Sequence, residues 1–179
     1  DQSSTLCVDI RFMMARSARG RGNSKTEIDG SSIDPGWRAV RFINRLTHTK
    51  GEWAGQPFNL RPWQQKIVRD VFGRVGPDGR RIVRTCYIEC PRKMGKSTLA
   101  AAIALQGLVA DGENGAEVYS AASEREQASL VFNVAAEMVR NDPVLRERLK
   151  IIDSQKRIVD YRTGSFYRAL SAEAYSKFG

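Results

Sequence analysis

Apolar positions recur along the chain with two periods, and together they predict alternating helices and strands. After Asp34, the residues Trp37, Val40, Arg41, Ile43, Asn44 and Leu46 give a partly amphipathic helical face up to about Thr47. Asp34 and Pro35 suit its N-cap and first turn. Lys50 to Leu60 reads as a loop with aromatic anchors. A second helix is expected over Arg61 to Phe72, with Pro62 in its first turn and Trp63, Ile67, Val71 and Phe72 toward the core. Gly76-Pro77-Asp78-Gly79 marks a turn. Ile82 to Glu89 is β-branched and aromatic and reads as a strand. Thr98 to Leu108 is built of strong helix formers, and Asp111 to Gly115 closes that helix. Ala116 to Ala121 reads as a second strand, parallel to the first because a helical crossover separates them.

Ser123 and Glu126 form a capping box that opens a long helix. Its Ala128, Val131, Phe132, Ala135, Met138 and Val139 recur at core spacing. Asp142-Pro143 restarts a short helix over Val144 to Leu149. Lys150 to Asp153, Lys156 to Tyr161 and Ser165 to Leu170 read as short strands around Thr163-Gly164. The expectation is an α/β domain with a mostly parallel sheet and helices on both faces. Residues 1–33 stand apart. They lack periodicity, carry the basic run Arg16 to Lys25, and read as a flexible basic tail with one short strand near Cys7 to Phe12. A Gly/Arg/Ser segment of this kind can contact nucleic acid, though a terminus of this composition is more often simply unstructured.

Composition narrows the class. Hydrophobic residues make up 41% of the 179 residues and charged residues 27%, which is globular. No apolar run approaches a membrane span, and no secretory signal is visible. The formal charge of +9 favours an anionic partner, nucleic acid being the commonest. The 3 cysteines have no metal-ligand spacing, which fits a reducing compartment. His48 has no companion residues and is given no role.

The candidate chemistry lies between the strand at Ile82 and the helix at Thr98. Cys90-Pro91-Arg92-Lys93-Met94-Gly95-Lys96-Ser97 ends as a phosphate-binding loop does, in the strand–loop–helix context that the motif requires. A helix N-terminus leaves N–H groups unpaired and attracts phosphate. Gly95 allows close backbone approach, Lys96 supplies charge to β- and γ-phosphates, and Ser97 a hydroxyl to Mg²⁺. Cys90 stands where the usual pattern has its first glycine. Pro91, Arg92 and Lys93 make the loop cationic, and Arg92 or Lys93 can reach a γ-phosphate. Met94 and Thr98 complete the nucleotide-contacting run. The competing reading is a chance Gly-Lys-Ser at an ordinary helix start. Upstream, Gln64 or Gln65 is a candidate adenine reader, because an amide offers both donors and an acceptor; an exposed glutamine without a role is equally compatible. No strand ending in Asp-Glu follows the loop. Glu173 is separated from the preceding strand and has no aspartate before it. The chain is therefore expected to stop before the hydrolytic carboxylates.

Gly55 to Gln64 and Pro91 to Ser97 resemble the adenine motif and Walker A of tailed-phage large terminase subunits. Ser123 to Ala128 with Val131-Phe132, and Ala169 to Glu173, resemble later blocks of the same family, in the same order. The resemblance covers roughly Trp37 to Gly179. It implies a P-loop NTPase of the RecA-like, additional-strand class, with residues 34–179 as the N-terminal part of the ATPase domain, ending before Walker B. It implies an ATP- and Mg²⁺-dependent motor that drives double-stranded DNA into capsids. The motor would form a homo-oligomeric ring on the portal protein, work with a small terminase subunit in the host cytoplasm away from membranes, and carry its nuclease in a further C-terminal domain. By the same resemblance Gln64 contacts adenine, Lys96 and Ser97 hold phosphate and Mg²⁺, and Arg92 senses the γ-phosphate. Two other readings remain open at this stage: a helicase-like nucleic-acid ATPase and a non-catalytic DNA-binding fragment.

Overall fold

The computed structural model describes residues 8–11, 34–91, 93–122 and 125–171. Helix α1 (Pro35–Arg45) is capped by Asp34, whose Oδ1 accepts from the Trp37 N–H at 3.0 Å. It buries Ala39, Val40 and Ile43, while Trp37 stays 41% exposed under the Arg69 guanidinium. Helix α2 (Pro62–Gly73) packs against α1 and buries Gln64, Val68, Val71 and Phe72. Trp63 and Ile67 lie only half-buried against the core. The Gly76–Gly79 turn forms as expected, with the Gly79 N–H donating to the Gly76 carbonyl at 3.0 Å.

Strand β1 (Val8–Arg11) is the short strand expected near Cys7 to Phe12; the other residues of 1–33 lie outside the described ones. It pairs antiparallel with β2 (Thr85–Ile88), Val8 opposite Ile88. Helix α3 (Lys96–Val109) follows β2 and is buried over most of its length. Strand β3 (Glu117–Ala122) and helix α4 (Arg125–Asn141) come next. Ser123 and Glu124 of the expected capping box lie outside the described residues. Asp142 caps the short helix α5 (Pro143–Arg148) through the Val144 and Leu145 N–H groups. Strands β4 (Lys150–Ile152), β5 (Arg157–Asp160) and β6 (Ser165–Ser171) complete the described chain.

The expected mostly parallel sheet is not what forms. A four-stranded sheet has the order β3-β6-β5-β4, and β1-β2 form a separate pair. Among the described strands only β3–β6 is parallel; β4–β5, β5–β6 and β1–β2 are antiparallel. The cause is connection length. The four residues 153–156 join β4 to β5, and 161–164 join β5 to β6. A parallel return needs a dozen or more residues, so these segments can only turn back as hairpins. β3 pairs with β6 rather than with β2, so α3 does not link adjacent strands. Among the described residues, the helices that pack on the four-stranded sheet, α3 and α4, share one face rather than covering both. α3 and α4 pack against each other and each packs on β3 and β6. Phe132 of α4 stacks on Tyr167 of β6, and both are fully buried. The fold is thus α/β with a mixed sheet.

Candidate nucleotide-binding site

β2 ends in Ile88, which is buried and anchors the start of the loop in the core. The loop then turns back on itself. Lys93 has φ +65° and Gly95 φ +77°, both in the left-handed region. Gly95 occupies it without Cβ strain, whereas Lys93 bears that cost. Gly95 is the N-cap of α3, and its carbonyl accepts from the Leu99 N–H at 2.9 Å. No side chain caps this end of the helix. The first-turn N–H groups of α3 have no intrahelical acceptor and face the loop, with the positive end of the helix dipole behind them.

Lys96, the first residue of α3, is 9% exposed. Its Nζ curls back across the loop and donates to the Cys90 and Pro91 carbonyls, the latter at 2.8 Å. A buried ammonium must be hydrogen-bonded, and these carbonyls satisfy it. The lysine therefore does not point into bulk water. It lies inside the turn, and a phosphate entering there would replace carbonyl partners rather than strip water from the amine. Pro91, Lys93, Met94 and Gly95 are exposed on the rim; Ser97 and Thr98 are half-buried in the first turn of α3. Arg92 lies outside the described residues, as does Glu173.

The two glutamines separate. Gln65 Nε2 donates to the Leu60 carbonyl at 2.9 Å and is committed to the start of its own helix. Gln64 is 5% exposed, and its Oε1 accepts from the Arg61 N–H at 2.9 Å. Its Nε2 lies 3.9 Å from where a Cβ on Gly95 would stand. The Gln64 amide is thus the one beside the loop at Gly95, with its oxygen anchored by the Arg61 N–H. Asn44 steadies the approach, its Oδ1 accepting from the Leu60 N–H at 2.8 Å. Two features escaped the sequence reading. The carbonyl partners of Lys96 leave no residue-type signal, since any residue supplies a carbonyl. The Trp63 indole N–H beside Gln64 is buried without an acceptor, which only coordinates can reveal. Among the described residues, no cluster of three or more His, Cys, Asp or Glu is placed to hold a metal, and no helix is long and apolar enough to cross a membrane.

A cationic loop, a bare helix N-terminus, a buried lysine across the turn and an adjacent amide form an arrangement suited to a nucleoside polyphosphate. Comparison with known proteins points the same way. The family model for the terminase large subunit, ATPase domain, matches residues 62–179. The terminase large subunit of Enterobacteria phage HK97 is 34% identical over 146 residues, covering 80% of this chain and 28% of that protein. The crystal structure of the HK97 large terminase superposes with a TM-score of 0.64 at 33% identity, over 79% of this chain and 28% of that one. This chain thus spans little more than a quarter of that relative's length. By its sequence and its fold, the chain belongs to the family of terminase large subunit ATPase domains.

Proposed function

We propose that this chain is the nucleotide-binding front of an ATP-driven motor that packages double-stranded DNA into phage capsids. The observation that carries the reading is Lys96, buried at the start of α3 and folded over the turn that Gly95 opens. The loop would be a Walker A element in a P-loop NTPase of the RecA-like class. ATP would lie with its phosphates in the turn from Pro91 to Thr98 and its base toward Gln64. Lys96 would exchange its carbonyl partners for β- and γ-phosphate oxygens. Arg92 and Lys93 would add positive charge at the γ-phosphate. The Ser97 hydroxyl would hold Mg²⁺, which when bound offsets phosphate charge.

No Asp-Glu pair occurs among the 179 residues. Walker B carboxylates, a catalytic glutamate and a nuclease domain would be the further parts of such a motor. On this reading the 179 residues supply the nucleotide-binding step. Portal protein, small terminase subunit and a ring of identical subunits in the host cytoplasm would be the working context. Equilibrium binding of labelled ATP with Mg²⁺ tests the proposal. Lys96→Ala removes charge-assisted hydrogen bonds worth about 1.5–3 kcal/mol each, so affinity should fall at least tenfold. Unchanged affinity in a folded Lys96→Ala variant would remove its basis.

A further inference from the structure

The face of the four-stranded sheet away from α3 and α4 carries an unbalanced pair of arginines. Register aligns Val118, Tyr167, Ile158 and Ile151 in one cross-strand row, turned to the core. Side chains alternate along strands, so the next row, Tyr119, Arg168, Arg157 and Ile152, faces the opposite way. Beside it runs a row of Glu117, Phe166, Val159 and Lys150. No described helix covers these two rows, since α3 and α4 share the other face.

Arg157 and Arg168 stand directly opposite each other on antiparallel neighbours. Like charges in that relation repel and weaken a sheet. Neither arginine has an ion pair among the described residues. The Arg157 guanidinium carbon lies over the Phe166 ring, 4.1 Å from its centre, and its Nε is buried without an acceptor. Arg168 is exposed. Glu117, the one carboxylate in these two rows, accepts from the Tyr119 hydroxyl at 2.9 Å. The sheet therefore holds two directly opposed arginines, one stacked on an aromatic ring, and among the described residues neither has a carboxylate partner.

We propose that Arg157 and Arg168, on this helix-free sheet face, grip the phosphodiester backbone of duplex DNA. Guanidinium forks match the paired oxygens of a phosphate. Duplex DNA carries a charge about every 1.7 Å of its axis and relieves an opposed arginine pair more fully than a sparsely acidic peptide. The choice of DNA as the polyanion rests on the packaging reading. The site itself is distinct from the nucleotide loop, so binding is measured without nucleotide and can fail or succeed independently of ATP.

The test is fluorescence anisotropy of a labelled duplex with the 179-residue chain over a series of salt concentrations. Replacing both arginines, Arg157→Gln with Arg168→Gln, should remove two phosphate contacts. The slope of log Kd against log salt should fall by about 2, and affinity at 0.1 M salt should drop on the order of tenfold to a hundredfold. The equal-charge control Arg41→Gln with Arg45→Gln, on the exposed face of α1, should change affinity far less. Arg168→Glu converts the opposed pair into an attractive one. It should raise the melting temperature while weakening DNA binding, which separates loss of binding from loss of fold. Equal effects from the two double variants would reduce the interaction to net charge and overturn the proposal. Unchanged duplex affinity in Arg168→Glu, or tighter binding of an acidic polypeptide such as polyglutamate than of duplex, would overturn it too.

Discussion

Replacing Gln64 separates its structural duty from its proposed contact with the base. The side chain is 5% exposed, its Oε1 accepts from the Arg61 N–H, and its Nε2 faces the loop at Gly95. Gln64→Ala removes both ends at once. It leaves the Arg61 N–H without its acceptor at the start of α2, at about 1–2 kcal/mol, or roughly 2–8 °C in melting temperature for a chain of this size. Gln64→Glu keeps an oxygen for Arg61, and its negative charge is favoured near a helix N-terminus by about 0.3–1 kcal/mol. That gain offsets part of the cost of burying a carboxylate, so its melting temperature should stay closer to wild type than that of the alanine variant. What glutamate cannot do is donate an N–H to a ring nitrogen of adenine. An unmet acceptor on the base costs about 1–3 kcal/mol, roughly a 5- to 150-fold loss in ATP affinity. GTP, whose base presents a different edge, should lose much less. Thermal melts with and without nucleotide, paired with competition between ATP and GTP, read out both effects. If Gln64→Glu folds normally and binds ATP as tightly as wild type, Gln64 is a helix cap and nothing more.

Two further substitutions probe the scaffold. Gly95→Ala meets only Gln64 Nε2, at an ordinary 3.9 Å, so its penalty in the free protein is backbone strain at φ +77°, about 1–2 kcal/mol; calorimetry should show that modest loss, with a larger proportional loss of ATP affinity. Asp160 is fully buried and pairs with Arg148 at 2.6 Å. Burial pushes its carboxyl up, but the Arg148 hydrogen bond and charge, the Arg162 N–H and the Thr163 hydroxyl outweigh it and hold it below the usual value. A lowered folded pKa means stability present above the unfolded value, near 3.9, and lost as pH falls through the folded one. Asp160→Asn should cost about 3 kcal/mol, roughly 6–12 °C, at neutral pH, and should flatten the acid limb of the melting-temperature profile below about pH 4.

The helices were legible because their signals are local. Asp34-Pro35, Pro62, Asp142-Pro143 and the apolar spacing of Ala128 to Val139 fix helix starts and faces within a few residues. The turn before α3 was legible for the same reason, with Gly95 at its N-cap. Sheet order was not, because β3 finds its partner β6 more than forty residues away, a choice made by packing rather than by local pattern. The antiparallel turns were nonetheless encoded in the short connections 153–156 and 161–164. Near the candidate loop, residue identity did not distinguish Gln64 from Gln65; the coordinates show Gln65 bonded to the Leu60 carbonyl and Gln64 beside Gly95. The opposed arginines depend on register, which no local reading of β5 or β6 supplies.

The most direct measurement is amide hydrogen exchange across residues 88–100 with and without Mg²⁺·ATP, using AMP as the control. The account predicts slowed exchange centred on Met94 to Thr98 with ATP and little change with AMP, because on the proposed reading the turn would grip the outer phosphates. Equal exchange in all three conditions, or protection elsewhere alone, would contradict it.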